Sequence, residues 1–160
     1  VDVMQVALPH FEESSASFCR TMSSSMSRSE REWVAQGASE ADVLSRLYDV
    51  WTYKEALTKN MGLGLGYDFA RIDLRFGRDV RLAMDGRAVD TFRFRELALP
   101  CGASSRAPGS RVAIALGPRD AWEAPMSKQA VSAQQAMDEG WLRMWTYDAW
   151  LDYAWAMSGV

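Results

Sequence analysis

The segment WTYKEALTKNMGLGLG, Trp51 to Gly66, decides the fold. It completes a helical pattern that starts near Glu40 and ends in three alternating glycines, which terminate a helix and favour a tight turn. Ser39 is a suitable N-cap, with acidic residues following it in the first turn. The sequence therefore predicts one long helix from Glu40 to about Met61.

Lys54 is an unusual residue within that helix. The apolar positions form a stripe with 3.6-residue spacing, and Lys54 falls inside it. Its ammonium must therefore reach water, lose its proton or meet an anion. The chain holds only three lysines against fifteen arginines. Because two of the three, Lys54 and Lys59, lie in this segment, we interpret them as selected for compact, point-like charge. The stripe comprises Val43, Leu44, Leu47, Val50, Trp51, Leu57 and Met61.

The flanking sequence predicts an α+β fold in which an antiparallel sheet packs on the long helix. A β-branched run, Val1 to Leu8, ends at Pro9 and predicts a strand, and Asp85-Gly86 predicts a hairpin turn between two later strands. Shorter helices are expected through Phe11 and Phe18 and over residues 30–36. The predicted domain core covers residues 1–116, followed by a polar connector at 117–140 and a closing strand and helix at 141–160. Four further strands are predicted at 70–76, 80–84, 90–97 and 111–116.

Composition excludes several classes of protein. The 160 residues are 48% hydrophobic and 24% charged, which suits one globular domain. The net charge of -3 provides no positive field for nucleic acid, and no apolar run approaches the roughly 18 residues that span a membrane. Cys19 and Cys101 form no CxxC pair, and His10 is the only histidine. Neither zinc nor a disulfide framework is indicated, and a cytoplasmic location is expected.

Each notable residue also has an ordinary structural explanation when it is considered alone. The glycines could simply end a helix, since a dinucleotide loop would follow a strand. Glu55 and Lys59 have the commonest spacing for a surface salt bridge on a helix. Asp2 could be a charge on an edge strand. These alternatives lose weight only when the motifs are considered together.

Together, two motifs resemble the signatures of 4'-phosphopantetheinyl transferases. The first is W-x-x-K-E-A-x-x-K-x-x-G-x-G-L-G, from Trp51 to Gly66, and the second is the strand VDVMQV with its aspartate. The likeness extends over most of Val1 to about Leu116. It is greatest to the larger, pseudo-dimeric Sfp-like class, whose fungal and animal members serve lysine biosynthesis and large synthases.

The resemblance implies a metal-dependent transfer reaction. Members of the family move the phosphopantetheine arm of coenzyme A to a serine of an acyl or peptidyl carrier domain. By resemblance, Asp2 and Glu55 bind Mg²⁺, Glu55 is the base for the serine, and Lys59 stabilises charge on the phosphate. Many members carry a second acid two residues beyond the strand aspartate, where this chain has Met4. The animal-type pattern shares that methionine, and water can complete the coordination.

The same resemblance implies a coenzyme A site. Lys54 and Lys59 would neutralise the pyrophosphate, and Gly62 and Gly64 would turn the chain beside the phosphates. Members of this class have two similar halves with the coenzyme between them, and this chain resembles the C-terminal half. A missing N-terminal half, or a second copy of the chain, is therefore the expected partner. The alternative is a module that binds carrier domains without turnover.

Overall fold

The computed structural model describes residues 1–99, 109–118 and 131–140. These fall into two compact units, one ending at Ala130 and the other beginning at Val131. The first unit comprises β1 (Asp2–Gln5), α1 (Ser15–Met22), α2 (Arg28–Ala35), α3 (Glu40–Asn60), β2 (Ile72–Arg75), β3 (Arg81–Met84), β4 (Arg87–Val89), β5 (Arg93–Leu99) and β6 (Ser110–Leu116). The second contains β7 (Val131–Ser132) and α4 (Ala133–Asp138).

The long helix α3 forms as predicted. The Ser39 hydroxyl accepts a hydrogen bond from the Asp42 amide over 3.1 Å and caps the helix start. The helix runs for 21 residues and ends at Asn60. Gly62 then adopts a φ of 69°, a left-handed conformation that favours glycine and turns the chain away from the helix axis.

Strands β1, β6 and β5 pair antiparallel in that order, and this part of the sheet packs against α3. Asp2 on β1 lies opposite Ala113 on β6, which lies opposite Glu96 on β5. Side chains in such a row share one face of the sheet. The first acid of the chain is thereby placed on the buried face, at the edge strand β1.

Strands β2, β3 and β4 form a separate antiparallel sheet in that order, so the predicted strands are divided between two sheets. Asp85 and Gly86 adopt φ values of 52° and 75° and make the expected hairpin turn. The turn does not lead to the predicted strand at 90–97. It leads to the three-residue strand β4, which the sequence did not indicate because it carries only Arg87, Ala88 and Val89.

Two apolar clusters stabilise this unit. The first lies between α3 and the two sheets, and the second lies among the helices. The helix predicted through Phe11 begins only at Ser15, because Ser14 caps it through a reciprocal capping box with Ser17. The fully or almost fully buried members of the clusters include Tyr53, Leu57, Ile72 and Leu74 in the first, and Val34, Leu47 and Val50 in the second.

The described part of the second unit, residues 131–140, contains β7 and α4, which fall within the predicted connector. The Ser132 hydroxyl caps α4 by accepting from the Gln135 amide over 3.0 Å. The closing strand and helix predicted at 141–160, and Cys101, lie outside the described residues. In the described parts of the chain, no helix combines the length and apolar character that crossing a membrane requires.

Candidate active site

Three of the predicted site residues meet where α3 passes β1. Asp2 lies near the start of β1, whereas Glu55 and Lys59 lie one turn apart near the end of α3. Both carboxylates are buried, with Asp2 6% exposed and Glu55 9% exposed. Residues distant in sequence are therefore brought together by the packing of α3 on the β1-β6-β5 sheet.

The Lys59 ammonium links the two carboxylates. Lys59 Nζ lies 2.8 Å from Asp2 Oδ1 and 3.6 Å from Glu55 Oε1. The hydrogen bond to Asp2 raises the pKa of Lys59 above its usual range, and the charge of Glu55 acts in the same direction. The Lys59 side chain is 48% exposed, so the cation faces solvent from a site whose acids are covered.

Each carboxylate keeps one buried oxygen without a hydrogen-bond donor among the described residues. These atoms are Asp2 Oδ2 and Glu55 Oε2. Buried carboxylate oxygens normally have a partner, because leaving one unpaired is costly. Two hard oxygen atoms of this kind fit a hard divalent cation, which in proteins often takes one or two carboxylates together with water and substrate phosphates.

The chemistry of these donors favours magnesium over zinc. Within residues 1–99, 109–118 and 131–140, no group of three histidine, cysteine or acidic side chains is arranged to hold a metal. Met4, at the position where many family members have the second acid, is instead half-buried and packs with the apolar cluster among the helices. Asp2 and Glu55 are thus the candidate protein ligands in the described chain.

Lys54 does not join this cluster. Its ammonium is completely buried and contacts Glu30 Oε2 at 2.6 Å, and it donates to the carbonyl oxygens of Ser25 at 2.9 Å and Phe69 at 2.8 Å. Three contacts match the three N–H donors of an ammonium. The anion that the apolar stripe led us to expect is therefore a protein side chain. The family resemblance, by contrast, implies the pyrophosphate of coenzyme A in that place.

Glu30 is the residue that sequence reasoning missed. It is fully buried, and it accepts from the backbone amides of Ser27 and Leu74. Burial raises the pKa of Glu30 and lowers that of Lys54, and the contact between them opposes both shifts. The only sequence signal was the pattern S-x-x-E from Ser27 to Glu30, which indicates a capping box and not a buried ion pair.

The predicted glycine positions form an exposed turn that follows Lys59. We call residues 61–68 the glycine turn. Gly62 and Gly64 have φ values of 69° and 60°, and a Cβ atom at either would meet no atom within 4 Å. The Leu63 amide donates to the Thr58 carbonyl over 2.9 Å and ties the start of the turn to α3.

A second set of polar contacts, made by residues that precede Glu55 in α3, fixes this helix on the sheet. Tyr53 Oη donates to Glu96 Oε2 over 2.9 Å, and Arg111 Nε lies 3.2 Å from Asp49 Oδ1. Burial is the main cause that raises the pKa of the Tyr53 hydroxyl, so it remains a donor. These contacts join α3 to β5 and β6.

Comparison with known proteins gives the family of the chain. A family model described as the 4'-phosphopantetheinyl transferase superfamily matches residues 1–113. The chain belongs to that superfamily, which confirms the resemblance and the α+β class predicted from the sequence.

Two curated relatives carry the corresponding names. The chain is 37% identical over 99 residues to "4'-phosphopantetheinyl transferase pptA" of Paxillus involutus, covering 60% of this chain and 37% of the relative. It is 31% identical over 102 residues to "Phosphopantetheinyl transferase" of a Thraustochytrium species, covering 59% of this chain and 35% of the relative. The chain thus spans little more than a third of the length of these relatives, a coverage that fits a half-domain.

Proposed function

We propose that this chain supplies the metal-binding and proton-accepting side of a site that transfers 4'-phosphopantetheine from coenzyme A to a carrier-domain serine. The observation that carries the proposal is the Asp2, Glu55 and Lys59 cluster, with one buried unpaired oxygen on each acid. Two acids and one ammonium suit phosphoryl transfer, where catalysis depends mainly on positioning and on stabilising charge.

The reaction assigns a role to each side chain. The serine oxygen forms a bond to the β-phosphorus of coenzyme A, and the bond from that phosphorus to the bridging pyrophosphate oxygen breaks. Glu55 accepts the serine proton, and Lys59 stabilises the negative charge of the departing adenosine 3',5'-bisphosphate. When bound, Mg²⁺ neutralises pyrophosphate charge. Asp2 and Glu55 would hold it through the oxygens that lack protein donors.

The glycine turn and a second half complete the proposed site. Gly62 and Gly64 would let the backbone pass close to the phosphates, since neither presents a side chain. A second α+β half, from the same polypeptide or a second copy, would supply the other wall of the coenzyme site. The proposed carrier is a lysine-pathway reductase, a fatty-acid synthase, or a polyketide or peptide synthetase, in the cytoplasm.

A transfer assay tests the proposal. A fluorescent coenzyme A analogue and an apo carrier protein are incubated with Mg²⁺ and one version of the chain. The versions are the 160-residue chain and a longer chain, each with and without Glu55→Gln. We expect label on the carrier that Glu55→Gln abolishes, whereas the exposed Glu13→Gln leaves it unchanged. Labelling that survives Glu55→Gln, or no labelling by any version, would overturn the proposed transfer.

An apolar hollow supports the second candidate, a carrier-binding module without turnover. The hollow has a volume of about 240 Å³, and its lining includes Met4, Phe11 and Trp51. Phe11 is 68% exposed, and exposed aromatic side chains beside an apolar hollow are typical of protein contact surfaces. This alternative would be favoured if an inactive chain binds carrier protein. Phe11→Ser should then abolish the binding, whereas Glu13→Gln should not.

A further inference from the structure

We infer that Glu30 and Lys54 are a positioning pair that holds the glycine turn and the active end of α3 in place without touching the substrates. Their role in catalysis rests on the function proposed above, whereas their role in ordering the turn does not. The contacts of the two side chains, the anchoring of the turn and the burial of the pair each support it.

Lys54 connects α3 to three other segments. Its ammonium donates to the Ser25 carbonyl, in the short turn before α2, and to the Phe69 carbonyl, just before β2. Its third contact is Glu30 on α2. Because Lys54 directly precedes Glu55, these contacts fix the rotation of α3 at the residue next to the proposed base.

Glu30 extends the connection to the second sheet. One carboxylate oxygen accepts from the Leu74 amide over 2.8 Å, and the other accepts from the Ser27 amide over 2.7 Å and contacts Lys54. The pair thereby joins α2, α3 and β2. Both side chains are completely buried, and every Lys54 donor has an acceptor, so substrate phosphates would have to break these bonds to reach the ammonium.

The glycine turn is anchored on α3 at both ends, and the anchor beyond its far end is made by the pair. At the start of the turn, the Leu63 amide bonds to the Thr58 carbonyl. Beyond its end, the Phe69 carbonyl accepts from Lys54. Between these anchors no atom lies within 4 Å of a Cβ built on Gly62, Gly64 or Gly66, and the Tyr67 amide donates to the Gly64 carbonyl over 3.4 Å.

Hydrogen exchange on the 160-residue chain tests the inference. The variants are Lys54→Met, Glu30→Gln and the double variant, with Arg28→Met/Glu32→Gln as the matched control. The control removes an exposed ion pair of the same kinds of charge, also involving α2. The double variant avoids leaving one charge buried alone, so it keeps the test valid if a single variant does not fold.

The expected result is local. In the double variant, exchange of the Tyr67, Ala70 and Arg71 amides rises by about tenfold or more relative to amides of β5 and β6, because the Phe69 carbonyl has lost its charged donor. The control leaves that ratio unchanged. The inference would be overturned if the double variant kept the wild-type ratio of turn to sheet exchange rates. Faster exchange of the turn and sheet amides by the same factor would count as that outcome.

Transfer kinetics then test the catalytic part. With a version of the chain that shows transfer, the double variant should raise the KM for coenzyme A by a larger factor than it lowers kcat, because the turn loses its anchor directly, whereas the active end of α3 keeps the Lys59–Asp2 contact. If the turn amides of the double variant exchange faster but its KM for coenzyme A is unchanged, the pair has no positioning role in the reaction. Should no version transfer label, the proposed function fails, while the exchange ratio still decides whether the pair orders the turn.

Discussion

Lys59 and Asp2 are 57 positions apart, yet Lys59 Nζ donates to Asp2 Oδ1 over 2.8 Å. The contact joins the last turn of α3 to the first strand of the chain. The contact also explains how the buried carboxylates of Asp2 and Glu55 can share one site, since the ammonium between them offsets their repulsion. If the proposed function holds, the same three side chains should have separable effects on metal binding and on transfer.

Asp2→Asn and Glu55→Gln should each weaken binding of Mn²⁺, used as a spectroscopic substitute for Mg²⁺, by at least about tenfold, because each removes one of the two charged ligands that we propose. Electron paramagnetic resonance titration of free Mn²⁺ measures the effect. Asp90→Asn, which neutralises an exposed acid, is the control and should bind as the wild type does. Equal affinity in all four proteins would remove Asp2 and Glu55 as ligands.

Lys59→Met should separate metal binding from transfer. We expect transfer to fall by about 10²-fold or more, because the variant loses the cation that we propose for stabilising the leaving phosphate. Binding of Mn²⁺ should not weaken, since the ammonium contacts the same carboxylates that would hold the metal. The two quantities are measured by the labelling assay and by Mn²⁺ titration. A parallel loss of both would mean that Lys59 acts by maintaining the carboxylates.

Gly64→Ala and Gly66→Ala form a matched pair within the glycine turn. Gly64 has a φ of 60°, so alanine there should lower the free energy of unfolding by about 1 kcal/mol through backbone strain alone. Gly66 has no left-handed φ and equal space around it, so alanine should change stability by less than about 0.5 kcal/mol. Urea unfolding measures both. Equal effects would show that this φ difference does not control the turn.

Asp73 should make the fold sensitive to acid. Burial tends to raise its pKa, but hydrogen bonds from the Ser27 and Ser29 hydroxyls and the contact with Arg75 lower it below the ordinary value of 3.8. A lowered folded-state pKa stabilises the protein fully above 3.8 and loses that contribution as pH falls through the folded value.

The test compares urea unfolding of the wild type and Asp73→Asn at pH 6 and at pH 3. The wild type should lose more of its free energy of unfolding between the two pH values than the variant does. Asp90→Asn again provides the control, because its acid is exposed. An identical pH dependence of all three proteins would contradict the assigned hydrogen bonds.

Local patterns predicted α3 and β1, whereas only the family resemblance implied that Asp2, Glu55 and Lys59 share one site. Ser39 and the apolar stripe fix the start and the buried face of α3, and the family motifs point to the three site residues. The partner of Lys54 could not be predicted, because Glu30 lies on another helix and only tertiary packing brings the two together. Strand β4 was missed because three residues give too short a pattern to recognise.

The buried pair of Glu30 and Lys54 has a consequence for the evolution of this chain. Losing either member alone would leave a charge in the interior, so variants that survive should change the two positions together. Homologous sequences should therefore show covariation between positions 30 and 54, even where the exposed residues of α2 vary independently. Mutant libraries built to alter carrier preference should randomise both positions jointly, or neither.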